Sequence, residues 1–264
     1  MQWYAANPQE AYDHTLMALR VAEHMDVRLP IMCNQDGFLT THNTMNLTLV
    51  DDKLVREFIG EYTPLYPLLD VNKPVTLGPF DLQNYYFEHK RQQFEAMELA
   101  KQVTAQVFAE FGKLTGRHYD FTADYKIEDA EYVLVALSSL AGTIQDVVDE
   151  LRAQGKKVGV LQPRVYRPFM HDILTKKLSH CKAVGVIDRT ASFGALGGPL
   201  FSDIRSAFYD YAAVSHKPHI INYIAGLGGR DIMFTHIRQM FAELEVLGTT
   251  GDVSDKIRFV GVRE

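Results

Sequence analysis

The stretch INYIAGLGGRDIM, Ile221 to Met233, decides how this chain is read. An apolar β-like run leads through Gly226, Gly228 and Gly229 into a helical pattern, which makes it one strand–turn–helix unit. Similar units lie to either side of it. Tyr132–Leu137, Lys157–Leu161, Ala183–Ile187, His219–Ile224 and Arg258–Val262 are short apolar runs of the kind that a sheet buries on both faces. Helical stripes at Thr143–Gln154, Phe169–Leu178, Leu200–Ala212 and Ile232–Leu247 separate them. Alternation of this kind predicts an α/β fold, a doubly wound, mostly parallel sheet with helices on both faces. Such a fold says little about function.

The glycine turn itself is not a dinucleotide fingerprint. Asp231 stands where the third glycine of G-x-G-x-x-G belongs, and a carboxylate there repels a pyrophosphate. The turn is read instead as structural: Gly226, Gly228 and Gly229 bend the chain, Asp231 caps the next helix, and Arg230 reaches a neighbouring surface. A second glycine cluster, Asp188 to Leu200, holds Ser192 and Gly194 and enters a helix at Pro199. Its amides could bind an anion, although most helix N-termini bind water or a side chain. The loop Leu137–Thr143 lacks the glycine two before its serine that a nucleophile elbow needs. Asp36, Gly37 and Phe38 with His42 form a turn whose carboxylate and imidazole could orient a base, but such pairs more often bond the backbone.

Earlier in the chain the pattern is less regular. Asn7, Pro8 and Glu10 make a strong helix entry, followed by an apolar helical face up to about Met25. Arg28–Cys33 reads as a short buried strand. One helix and one strand cannot cover that face, so residues 1–50 read as the end of a larger α/β domain. Residues 51–125 read as an extended, proline-punctuated connection and a long helix from about Leu82 to Leu114, and residues 126–264 as the doubly wound domain.

Composition narrows the function classes. With 27 basic and 33 acidic residues the net charge is −6, which gives no footprint for nucleic acid or an anionic membrane. No apolar run approaches a membrane span or a leader, so a cytoplasmic location without membrane insertion is expected. The two cysteines, Cys33 and Cys181, are read as reduced, buried thiols.

Five segments taken together resemble a known family: LPIMCNQDGFLTTH, GPFDLQNYYFEHKRQQFEAMELAK, EDAEYVLVALSSLAGTIQDVVDELRAQGKKVGVLQPRVYRPF, DRTASFGALGGPLFSDIRSAFY and IAGLGGRDI. They are similar, in this order, to the α subunit of 2-oxoacid:ferredoxin oxidoreductases acting on pyruvate. The resemblance implies the end of a thiamine-enzyme pyrimidine-binding domain in residues 1–50 and a transketolase C-terminal-like domain in residues 126–264. It further implies a complex with β, γ and ferredoxin-like δ subunits and the remaining α portion, using thiamine diphosphate, Mg²⁺ and [4Fe-4S] clusters, with coenzyme A and ferredoxin or flavodoxin. The family's cofactor and substrate groups match nothing in this chain, so no catalytic, cofactor-binding or metal residue is expected in it. What does match are the turns Asp36-Gly37-Phe38 with His42, Arg167-Pro168-Phe169, Ser192-Phe193-Gly194 and Gly226–Asp231, for which docking and interface roles are expected. A non-catalytic assembly or regulatory module is the alternative, as is the same enzyme type acting on another 2-oxoacid.

Overall fold

The computed structural model describes residues 1–211 and 216–263. The alternating runs form one six-stranded sheet. Its strands are β3 (Thr122–Tyr125), β4 (Tyr132–Val135), β5 (Val158–Pro163), β7 (Ala183–Asp188), β8 (His219–Ile224) and β9 (Ile257–Phe259), in the order β3-β5-β4-β7-β8-β9. All neighbours run parallel except β3, which pairs antiparallel with β5 through Thr122 opposite Pro163.

Strand alternation sorts the core onto two faces. Leu134, Val160 and Tyr223 point to α4 (Leu140–Ala153) and α7 (Phe234–Thr250). Val133, Leu161 and Val186 point to α5 (His171–Leu178) and α6 (Pro199–Asp210). The sheet is therefore doubly wound, as the alternation predicts. The expected end of α6 at Ala212 lies outside the described residues.

A second, smaller sheet joins β1 (Gln2–Tyr4), β2 (Met32–Asn34) and β6 (Val165–Arg167) in the order β2-β1-β6. Its third strand comes from within the stretch assigned to the doubly wound domain. Against it pack α1 (Pro8–Glu23), α2 (Asp52–Ile59) and the second half of α3 (Tyr86–Thr115), around the fully buried Trp3 and Phe111. The entry of α1 follows its sequence signal, with Asn7 Oδ1 accepting from Glu10 N at 2.9 Å and Pro8 in the first turn. Glu10 does more than cap. Its carboxylate accepts from Ala6 N at 2.8 Å and from Arg164 Nε at 2.9 Å, which ties α1 to the β5–β6 connection.

Two expectations are corrected here. The Arg28–Cys33 run is not a buried strand: β2 is an edge strand, with Met32 52% exposed. Cys33 on it is exposed, and only Cys181 is the buried thiol, which burial pushes up to about 12. An apolar run marks burial only where a neighbour covers it, and among the described residues no strand pairs with the outer side of β2.

Candidate functional site

In a sheet ordered this way, the crossover that leaves β4 leads to β5 on one side and the crossover that leaves β7 leads to β8 on the other, so the order reverses between β4 and β7. The crevice beyond the carboxyl ends of β4 and β7 is where open α/β sheets take ligands. A cavity of about 490 Å³ lies there, bordered by the turns after β4, β7 and β8 and closed over by residues 34–36 of the small sheet's loop.

Two of these turns, those after β4 and β7, are held by carboxylates of the chain itself. Asp36 Oδ2 accepts from Ser139 N at 3.0 Å and from Ser139 Oγ, and its Oδ1 accepts from Arg189 Nη1 at 2.6 Å. One side chain from the small-sheet loop thereby caps α4 and grips the turn after β7. Asp188, at the end of β7, is 4% exposed and accepts from Leu200 N at 3.0 Å and Phe201 N at 3.1 Å. Burial raises its pKa, and the two amides and Asn222 only partly offset that. Asn222 donates to Val186 O and Asp188 Oδ2 and accepts from Gly198 N at 2.8 Å. The amides that could have bound an anion at the start of α6 are thus already taken by Asp188 and Asn222.

The packing at this corner leaves no room for a side chain. A Cβ on Gly198 would stand 2.2 Å from Asp188 Cγ. Gly198→Ala is therefore expected to cost about 1–3 kcal/mol, read as a lowered urea midpoint with an unchanged slope. A midpoint equal to the parent's would show that the carboxylate is not held as described.

Ser138 sits at the strand-to-helix turn with φ +61°, but it is not a nucleophile. Its hydroxyl is buried and donates to Ala5 O at 2.7 Å, which joins the two sheets.

The other turns have local partners. Phe38, at φ +64°, stacks on His42 with ring centroids 4.7 Å apart, while His42 Nδ1 meets Thr41 Oγ1 at 2.7 Å. Asp36 and His42 do not bond each other. Gly37 has open space about its Cα. Arg167 bonds Asp203 at 2.7 Å and lies 3.9 Å over the Tyr166 ring. Ser192 accepts from Ala195 N, and Gly194 has φ +78°, in a loop whose tip, Phe193, is 99% exposed. Gly226, Gly228 and Gly229 all have positive φ, so the tight turn needs them.

Asp231 is not the helix cap, because α7 begins at Phe234 and Met233 precedes it as the N-cap. Arg230 Nη1 donates to Gly261 O of its own chain at 2.6 Å. The sequence reading missed Asp188, Asn222 and Arg189. A signal for the first two was present, since an Asp and an Asn inside otherwise apolar strand runs need buried partners.

Known proteins place the chain. The family model described as pyruvate flavodoxin/ferredoxin oxidoreductase, thiamine diP-bdg, matches residues 1–109, and that described as pyruvate:ferredoxin oxidoreductase core domain II matches residues 130–237. The chain belongs to the pyruvate:ferredoxin oxidoreductase family. Pyruvate synthase subunit PorA of Thermotoga maritima is 48% identical over all 264 residues, and this chain spans 66% of its length. Ketoisovalerate oxidoreductase subunit VorA of Pyrococcus abyssi is 35% identical over 98% of the chain, which spans 64% of it. The chain therefore covers just under two thirds of these family members. The 2-oxoglutarate:ferredoxin oxidoreductase of Magnetococcus marinus shares the fold at 15% identity, with a TM-score of 0.55 over 92% of this chain and 42% of that one.

Within this family fold, the residues around the crevice do not fit a metal-bridged diphosphate. Asp36 and Asp188 hold the helix-start amides that would receive phosphate oxygens. Among the described residues no three His, Cys, Asp or Glu side chains converge as metal ligands.

Proposed function

We propose that this chain is the structural and docking part of the α component of a 2-oxoacid:ferredoxin oxidoreductase acting on pyruvate. The observation that carries the reading is the match of all 264 residues to 66% of PorA at 48% identity, against 35% to VorA. The assembled enzyme would convert pyruvate, coenzyme A and oxidised ferredoxin to acetyl-CoA, carbon dioxide and reduced ferredoxin. Thiamine diphosphate, when bound, supplies the carbanion chemistry of that reaction. Its seat, with Mg²⁺ and the [4Fe-4S] clusters, is assigned to the β, γ and ferredoxin-like δ subunits and to the third of PorA that this chain does not match.

This chain's residues then set the crevice's shape. Asp36 draws the Asp36-Gly37-Phe38 turn onto α4 and Arg189, and Ser138 holds Ala5, so the small and large sheets act as one body. The exposed tips Phe38 and Phe193 face outward beside the crevice and suit contact with another subunit.

The test is pyruvate- and coenzyme-A-dependent reduction of ferredoxin by the complex assembled with and without this chain. The expected result is activity only when the chain is present; equal activity in its absence would overturn the reading. Asp36→Ala leaves Arg189 and the α4 amide without their acceptor, at about 1–3 kcal/mol. Faster hydrogen exchange in residues 34–42 and weaker assembly are expected, and unchanged exchange there would contradict the docking role.

A further inference from the structure

The crevice beyond β4 and β7 encloses about 490 Å³. Small-molecule sites in general span roughly 300–1,000 Å³, so the crevice is large enough to be one. Most of its wall is apolar. Leu137, Leu140, Ile187 and Leu200 line it from the large sheet and its helices, and the rings of Tyr4 and Tyr166, edge to face with centroids 6.1 Å apart, line it from the small sheet.

The charged groups in this wall are not equivalent. Both oxygens of Asp36 and both of Asp188 already accept hydrogen bonds within the chain. Arg189 is different. Its Nη1 donates to Asp36, whereas among the described residues nothing accepts from its Nε or Nη2. The guanidinium is nevertheless fixed in position. Asp36 holds it on one side at 2.6 Å, and the turn after β8 comes so close on the other that a Cβ on Gly226 would stand 3.1 Å from Nε. A fixed guanidinium with donors to spare is suited to one more carboxylate.

The walls restrict what that carboxylate can belong to. Arg189 is the one cation among the described residues that line the crevice. A second negative charge on the ligand would lie against apolar side chains or beside Asp36 and Asp188, with nothing to neutralise it. We propose that the crevice is a binding site for a small monocarboxylate with an apolar body, its carboxylate on Arg189 and its body against Tyr4, Tyr166 and Leu200. Such a ligand touches both sheets and so holds residues 34–36 closed over the crevice. The inference does not rest on the oxidoreductase reading, because its readout is binding to the chain alone, and either can fail without the other.

The test titrates the full chain with three probes of the same carbon chain, hexanoate, hexanamide and hexanedioate, by saturation-transfer NMR. Hexanoate is expected to saturate with a Kd below about 10 mM. The neutral amide and the dianion are each expected to bind at least about tenfold more weakly, one lacking the charge for Arg189 and the other carrying one too many. Hydrogen exchange in residues 34–36 is expected to slow when hexanoate is bound. Arg189→Gln, shown to be folded by circular dichroism, is expected to lose at least about tenfold in hexanoate affinity and to bind hexanamide as the parent does. The probe order and the exchange are read on the parent, so they decide the matter even for a variant that does not fold. No saturation by hexanoate, equal binding of acid and amide or of acid and dianion, unchanged exchange in residues 34–36, or parental hexanoate affinity in folded Arg189→Gln would each overturn the proposal.

Discussion

Asp13→Ala is expected to cost about 3–5 kcal/mol of folding stability. Asp13 in α1 is fully buried and accepts from Arg117 Nε and Nη2, both at 2.7 Å, and from Tyr119 Oη at 2.6 Å. The bidentate guanidinium and the phenol tie the first helix to the segment that leaves α3. Without the carboxylate, the half-buried Arg117 guanidinium and Tyr119 hydroxyl lose their acceptor. Asp13→Asn keeps an acceptor but loses the charge, so an intermediate loss is expected. Urea unfolding read by Trp3 fluorescence measures this directly, because Trp3 lies in the same core. A loss below about 1 kcal/mol for Asp13→Ala would show that the triad is incidental to folding.

The second large effect is acid sensitivity from His14. Its ring is 1% exposed, lies edge-on to Trp3 and Tyr119, and has no partner on either nitrogen. Burial lowers its pKa from 6.5 to about 4, with the Glu10 and Asp13 carboxylates opposing that fall and Arg164 adding to it. Below pH 6.5 the unfolded chain therefore takes up a proton that the folded chain refuses. Stability falls as pH drops from about 6.5 to about 4, by about 3 kcal/mol in total. Glu10 adds a separate decline at lower pH. Burial raises its pKa, but Arg164, the Ala6 amide and His14 together hold it below the usual value, and its share is lost as the carboxylate becomes protonated. His14→Leu removes the upper window only. Between pH 7 and 5 the parent's urea midpoint is expected to fall well below that of His14→Leu, and parallel midpoints would contradict the buried neutral imidazole.

These two side chains also show where the sequence stops being legible. β4, β5, β7 and β8 could be read because each is a largely buried apolar run, and β9, an edge strand with Phe259 57% exposed, because it keeps the apolar pattern; no other element type suits such runs separated by helical stripes. β3, Thr-Ala-Asp-Tyr at Thr122–Tyr125, could not, because an antiparallel edge strand with one wet face carries no such signature. β1 and β6, three residues each, are too short to show a period. Glu10 read as the carboxylate of a capping box, but it accepts from Ala6 N, and its pairing with Arg164 joins residues 154 apart, which no local pattern encodes. The reverse error occurred at Arg28–Cys33, where apolar composition suggested burial that the edge position of β2 does not provide. In the crevice, the turns were visible as glycine clusters, whereas the carboxylates that close them were not assigned to that task. Asp188 and Asn222 could have been, since neither belongs in a two-sided apolar strand without a buried partner. Asp36 could not, as its partners Ser139 and Arg189 lie more than a hundred residues away.

Titration calorimetry of this chain alone with thiamine diphosphate and Mg²⁺ tests the central claim most directly, that the chain shapes and docks the enzyme without seating its cofactor. Because Asp36 and Asp188 already hold the helix-start amides, no saturable, Mg²⁺-dependent heat is expected. Binding with a Kd below about 10 μM that requires Mg²⁺ would correspond to about 7 kcal/mol of interaction with a site this chain is said not to form, and would contradict the account.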